Sequence, residues 1–136
     1  MIKPKKILFV CVENSARSQM AEGFFREYGK KFEALSAGTE PISKINPLAV
    51  QVMNEIGIDI SFHKPKLLSK VMLDESFKIV NMGCMDKESC PSLFVHDMVD
   101  WDIVDPKGKS IEEVRKIRHQ IKSEVLKLIK TLEDDE

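Results

Sequence analysis

A cysteine followed six positions later by an Arg-Ser pair is the feature of this chain best suited to chemistry: Cys11-Val12-Glu13-Asn14-Ser15-Ala16-Arg17-Ser18. It lies between a short apolar run and a helical pattern. A loop in that setting aims several backbone N–H groups at one spot, and the helix N-terminus adds its partial positive charge. A tetrahedral oxyanion suits the spot. The same field favours the thiolate of Cys11. Arg17 in the first helical turn can fork around two oxygens of the anion. Ser18 can donate to the Cys11 sulfur, and Asn14 can brace the loop through its side chain. The plain alternative is an inert core cysteine with an arginine nearby by chance. Strand, cysteine, polar loop, Arg-Ser and helix nevertheless come in the order the chemistry needs.

Two further cysteines, Cys84 and Cys90, follow a third apolar run in a Gly/Ser/Pro-containing stretch. Hydrolysing a phosphate ester takes one nucleophile and no electrons. Reducing an oxyanion takes two electrons, which a pair of thiols becoming a disulfide supplies. Two other readings stay open for Cys84 and Cys90: buried packing residues, or, with Cys11, a three-thiolate site for zinc or trivalent arsenic. Their spacing is longer than in a zinc knuckle, and no histidine completes a ligand set. Asp105-Pro106, read from its residues, is a turn before the last helix.

The elements that must position these residues are legible in the hydropathy pattern. Lys6–Val10 reads as a buried strand and Arg17–Tyr28 as a helix, with Met20, Ala21, Phe24, Phe25 and Tyr28 on one face and Gly29 as its stop. Phe32–Ala37 reads as a second strand closed by Gly38. Pro47 opens a helix carrying Leu48, Val52, Met53 and Ile56, capped by Gly57. A short helix is expected over Leu67–Met72, a third strand over Phe77–Met82, a loop over Gly83–Pro91 and a fourth strand over Phe94–Trp101. Ser110 and Glu113 form a capping box for a long last helix, whose stripe is Val114, Ile117, Ile121, Val125, Leu128, Ile129 and Leu132; Glu133–Glu136 is read as a frayed tail. The alternation predicts an α/β fold: one domain over residues 1–136, with a four-stranded parallel sheet flanked by helices on both faces. Such sheets bind ligands at the carboxyl ends of their strands.

Composition excludes other classes. The net charge of −1 gives no electrostatic case for nucleic acid. No apolar run reaches the roughly 20 residues that span a bilayer. The basic start, Met1 to Lys6, leads into an apolar stretch too short for a signal peptide, so a cytoplasmic monomer without an organic cofactor is the expectation. An odd count of three cysteines argues against a disulfide framework. His63, His96 and His119 have no motif partners: His119 is assigned to the surface, and His63 with Lys64 is a weak candidate for anion steering. Trp101, Asp100 and Asp102 are assigned to packing and solvation, and Lys5, Lys6, Arg26, Lys30 and Lys31 to a solvated surface.

Cys11, Arg17 and Ser18, continued by Gln19-Met20-Ala21-Glu22-Gly23, resemble the thioredoxin-coupled arsenate reductases, which share a fold with the low-molecular-weight protein tyrosine phosphatases. The likeness extends through Ser36-Ala37-Gly38-Thr39, Gly57-Ile58-Asp59-Ile60-Ser61, Gly83-Cys84, Cys90-Pro91, and Trp101 with Asp105-Pro106. The resemblance implies that residues Glu13 to Arg17 hold arsenate or another tetrahedral oxyanion while Cys11 attacks the arsenic. It implies that Cys84 then attacks Cys11 and releases arsenite, and that Cys90 attacks Cys84. A Cys84–Cys90 disulfide remains for thioredoxin or a similar dithiol to reduce. Asp105 matches the general-acid loop. One departure stands out: Glu13 occupies a position often held by glycine, and its side chain is expected to face solvent. The rival readings are a phosphatase acting through Cys11, Arg17 and Asp105, and a non-catalytic binder of phosphate or metal.

Overall fold

The computed structural model describes residues 4–82 and 98–134. Along the chain these form β1 (Lys6–Cys11), α1 (Arg17–Tyr28), β2 (Glu33–Gly38), α2 (Pro47–Asn54), α3 (Lys70–Glu75), β3 (Lys78–Asn81), β4 (Met98–Asp100) and α4 (Ile111–Asp134). The four strands make one parallel sheet in the order β2-β1-β3-β4. The chain therefore leaves β1 toward one side of the sheet and later returns on the other. That reversal creates a crevice beyond the carboxyl end of β1, where Cys11 is the last strand residue.

Strand alternation sorts the core into two layers. Ile7, Phe9 and Cys11 face the larger one, which α1 fills with Met20, Ala21, Phe24 and Phe25, α2 with Ala49, Val52 and Met53, and α4 with its full apolar stripe. Phe9 lies between Phe25 and Trp101, with ring centroids 5.8 and 5.7 Å away. Leu8 and Val10 face a smaller layer with Ala37, Ile79 and Leu73 of α3. Helices thus cover both faces, as the alternation of elements predicts. No helix among the described residues is long and apolar enough to cross a membrane.

Several boundaries differ from the sequence-based expectation. The short helix expected over Leu67–Met72 forms instead over Lys70–Glu75. Backbone pairing of Gly38 with Lys66 and Leu68 holds that stretch extended, and the Ser69 hydroxyl accepts from Met72 N to start the helix. The helix opened by Pro47 ends at Asn54, and Gly57, at φ 82°, turns the chain out of it. Ile56 falls beyond that end and is exposed. Tyr28, placed on the buried face of α1, stacks on Phe24 but stays largely exposed. Helix α4 runs through Asp134, past the point expected to fray; its capping box forms, with Ser110 Oγ accepting from Glu113 N and Glu113 Oε1 accepting from the Ser110 hydroxyl, both at 3.2 Å. Of the expected fourth strand, Met98–Asp100 is strand and residues 94–97 lie outside the described residues, as do the loop expected over Gly83–Pro91, Cys84, Cys90 and His96.

Candidate active site

The loop between β1 and α1 is held from outside. The carbonyls of Val12, Glu13 and Ser15 accept from the backbone N–H groups of Glu40, Ile42 and Asn46, at 2.8, 3.3 and 2.8 Å. A trans peptide sets each C=O opposite the N–H of the next residue. Turning those carbonyls outward therefore turns the N–H groups of Glu13, Asn14 and Ala16 inward. Asn14 shows the result directly, since its N–H donates to Cys11 Sγ at 3.2 Å. The backbone can close this tightly because Asn14 takes a left-handed conformation, φ 50°, which asparagine tolerates better than most residues. Gly38 makes room for it: a Cβ there would lie 2.5 Å from Val12 O and 2.9 Å from Asn14 N. Ala16, the N-cap of α1, has no side-chain acceptor, so the first-turn N–H groups keep their donors for whatever enters the loop.

Cys11 is a free, buried thiol. Its Sγ lies 2.8 Å from Ser18 Oγ, and Asn14 decides which of the two donates. Asn14 Oδ1 accepts from Lys66 N at 2.8 Å, which orients the amide and sends Nδ2 to Ser18 Oγ at 2.7 Å. Ser18 Oγ accepts there, so its own proton is directed to the sulfur. Two donors therefore converge on Cys11 Sγ and stabilise negative charge on it.

Arg17 is buried, and its Nη1 donates to the carbonyls of Met82 at 2.9 Å and Ile103 at 3.2 Å. Its Nη2 lies 3.8 Å from Asp105 Oδ2. Asp105 Oδ1 accepts from Lys107 N at 3.0 Å, which forms the expected turn. Cys11, Glu13, Ser15, Ala16, Arg17 and Asp105 line one cavity of about 10 Å³, room for roughly one water-sized sphere. Asn14 and Ser18 are fully buried and act through hydrogen bonds to the loop and the sulfur. Glu13 departs from expectation. Its side chain is a quarter exposed, accepts from Lys107 Nζ at 3.0 Å, and borders the cavity instead of facing open solvent.

A polar network under the loop has no counterpart in the sequence-based reading. Gln19 Nε2 donates to Asn14 O at 3.1 Å, Asn14 Oδ1 at 3.0 Å and Lys64 O at 3.2 Å. That fixes Gln19 Oε1 as acceptor for His63 Nδ1 at 2.9 Å. Behind them, Glu22 is buried, accepts from Ser36 Oγ at 2.6 Å and pairs with Arg26 at 2.8 Å; His63 and Lys66 lie within 3.9 Å of it. Arg26, assigned to a solvated surface, is thus partner to a buried carboxylate. Burial pushes the His63 imidazole below its ordinary pKa despite the opposing pull of Glu22, and pushes the Lys66 ammonium down in the same way. His63 therefore braces Gln19. The available signal was two polar residues, Gln19 and Glu22, on a helix face otherwise given to the core. His119 is exposed and Trp101 packs on Phe9, as expected. Among the described residues no three His, Cys, Asp or Glu side chains converge as a metal site.

Comparison with known proteins matches residues 6–136 to the family model for low molecular weight phosphotyrosine protein phosphatase. A glutaredoxin arsenate reductase from Synechocystis sp. is 38% identical over 129 residues, 92% of this chain and 96% of that protein. A solved arsenate reductase in its phosphate-binding state superposes with a TM-score of 0.85 at 36% identity, covering 93% of this chain and 98% of that one. A thioredoxin-dependent arsenate reductase from Corynebacterium glutamicum superposes with a TM-score of 0.84 at 30% identity, covering all of this chain and 66% of its own.

Proposed function

The chain belongs to the low molecular weight phosphotyrosine protein phosphatase family, and on that premise we propose that it reduces arsenate to arsenite through a Cys11 adduct and a three-cysteine relay. The observation that carries the reading is the placement of a buried thiol under two hydrogen-bond donors, beside a loop whose amides turn inward. Arsenate reductases among its relatives, one of them solved with phosphate bound, support an oxyanion as the ligand.

In this reading the inward N–H groups of Glu13, Asn14 and Ala16 hold the oxyanion, and Arg17 neutralises its charge. Cys11 thiolate forms an S–As bond and an oxygen leaves as water, with Asp105 positioned to supply a proton. Cys84 thiolate then attacks Cys11 Sγ. The S–As bonding pair stays with arsenic, which departs as arsenite, and a Cys11–Cys84 disulfide accounts for both electrons. Attack by Cys90 on Cys84 frees Cys11 and moves the disulfide to Cys84–Cys90. An external dithiol protein reduces it. The Synechocystis relative is a glutaredoxin arsenate reductase and the Corynebacterium one is thioredoxin-dependent, so both donor classes belong in the assay.

Phosphatase activity through Cys11, Arg17 and Asp105 is the second reading, favoured by the carboxylate that shares a cavity with the thiol. One experiment separates the two: thiol counting and peptide mapping after a single arsenate turnover. The reductase leaves a Cys84–Cys90 linkage, and Cys84→Ser blocks multiple turnover. Three free thiols with a phosphate ester cleaved would establish the phosphatase instead.

A further inference from the structure

We propose that the Glu13–Lys107 ion pair is a latch across the mouth of the cavity, making the site selective for bare inorganic oxyanions over their organic esters. The inference rests on the oxyanion-binding reading above and narrows its substrate class.

The pair joins two loops 94 residues apart in sequence, through a 3.0 Å contact. One end borders the cavity directly and the other is tied to it through Asp105. Glu13 and Asp105 line it; Glu13 O accepts from Ile42 N at 3.3 Å, and Lys107 N donates to Asp105 Oδ1 at 3.0 Å. Cys11 is 2% exposed, whereas the Glu13, Asp105 and Lys107 side chains are 25, 53 and 69% exposed, which puts the ion pair on the solvent side of the buried sulfur.

In-line attack by Cys11 places the leaving group opposite the sulfur. On a bare oxyanion that vertex is one oxygen. On an ester it carries a carbon substituent aimed at the latch. With about 10 Å³ beneath it, the mouth opens for any entrant; it recloses over an inorganic oxyanion, whereas an ester holds it apart for as long as it stays bound. The pair also solves an electrostatic problem. A lone carboxylate beside the cavity would repel every anion, and Lys107 cancels it. The hydrogen bond and charge of Glu13 raise the Lys107 pKa, keeping that ammonium charged.

The test is calorimetry on the reduced full-length protein with inorganic phosphate and with phenylphosphonate, a non-hydrolysable ester mimic. The wild type is expected to prefer phosphate. Glu13→Gly and, separately, Lys107→Ala should each narrow that preference by about fivefold, the scale of one partly exposed ion pair. Lys107→Ala should also weaken phosphate binding by unmasking Glu13, and adding Glu13→Gln should restore it. An unchanged preference in both single variants, each shown to be folded by circular dichroism, would overturn the latch. Absence of phosphate binding in the wild type would strike the oxyanion site itself, a separable result.

Discussion

Asn14 Nδ2 donates to Ser18 Oγ at 2.7 Å, and through this contact a side chain that does not itself bond the sulfur controls the Ser18 hydrogen bond to it. The Ser18 hydroxyl, saturated as acceptor from one side, turns its proton to Cys11 Sγ at 2.8 Å. Asn14→Asp keeps the shape of the side chain but replaces the donor with an acceptor, which draws the Ser18 proton away from the sulfur. The expected loss is on the order of 10- to 100-fold in the rate of Cys11 adduct formation, the worth of one hydrogen bond to a charged group. Single-turnover arsenate reduction checks it. Ser18→Ala should fall in the same range, and the double variant should lose little more than either single one, because the two residues act in series.

Gly38→Ala should damage the site more than the fold. The added methyl would meet the backbone of Val12 and Asn14, which cannot rotate away as a side chain can. Overpacking of this kind typically costs about 1–3 kcal/mol. The expected outcome is phosphate binding weakened well beyond the modest fall in thermal midpoint, read by calorimetry and by unfolding on the same sample.

His63 makes stability fall in mild acid. Its folded pKa lies below the unfolded value of 6.5, chiefly through burial; Glu22 and Asp59 pull it up, and Arg26 and Lys66 push it down. Above pH 6.5 both states hold the ring neutral and its contribution is fully present. As pH drops below 6.5 the unfolded chain takes the proton first, and stability is lost until the folded ring titrates too. Urea midpoints measured from pH 7.5 downward should therefore decline, and His63→Gln should flatten that part of the curve.

Glu55 acts in stronger acid. It receives Arg115 and Arg118 of α4 at the end of α2, and the Arg115 hydrogen bond leads in holding its carboxyl at about 2, below the usual 4.5. Its stabilising contribution is present above pH 4.5 and disappears as pH falls toward 2. Glu55→Gln should lower the thermal midpoint at pH 7 and erase the difference from wild type near pH 2. High salt should shrink the effect, since the pair is exposed.

The sequence by itself determined the local grammar of this protein. The continuous apolar run of β1 and the helical stripes of α1 and α4 are local signals, legible within a few residues because backbone geometry repeats over that distance. Cys11 at a strand end, with Arg17 and Ser18 at a helix start, is contained within eight consecutive positions. What only the tertiary structure decided are partnerships between residues far apart in the chain. Lys107 reaches Glu13 across 94 positions, Lys66 orients Asn14 across 52, and His63 braces Gln19 across 44. Sequence alone sends the Glu13 side chain to solvent, because a carboxylate beside an anion site is repulsive in isolation. Its cation comes from a turn brought alongside by a β-strand and a buried arginine. A side chain's periodicity records which face it lies on, but a hydrogen bond depends on where two elements come to rest, and the packing of sheet and helices sets that.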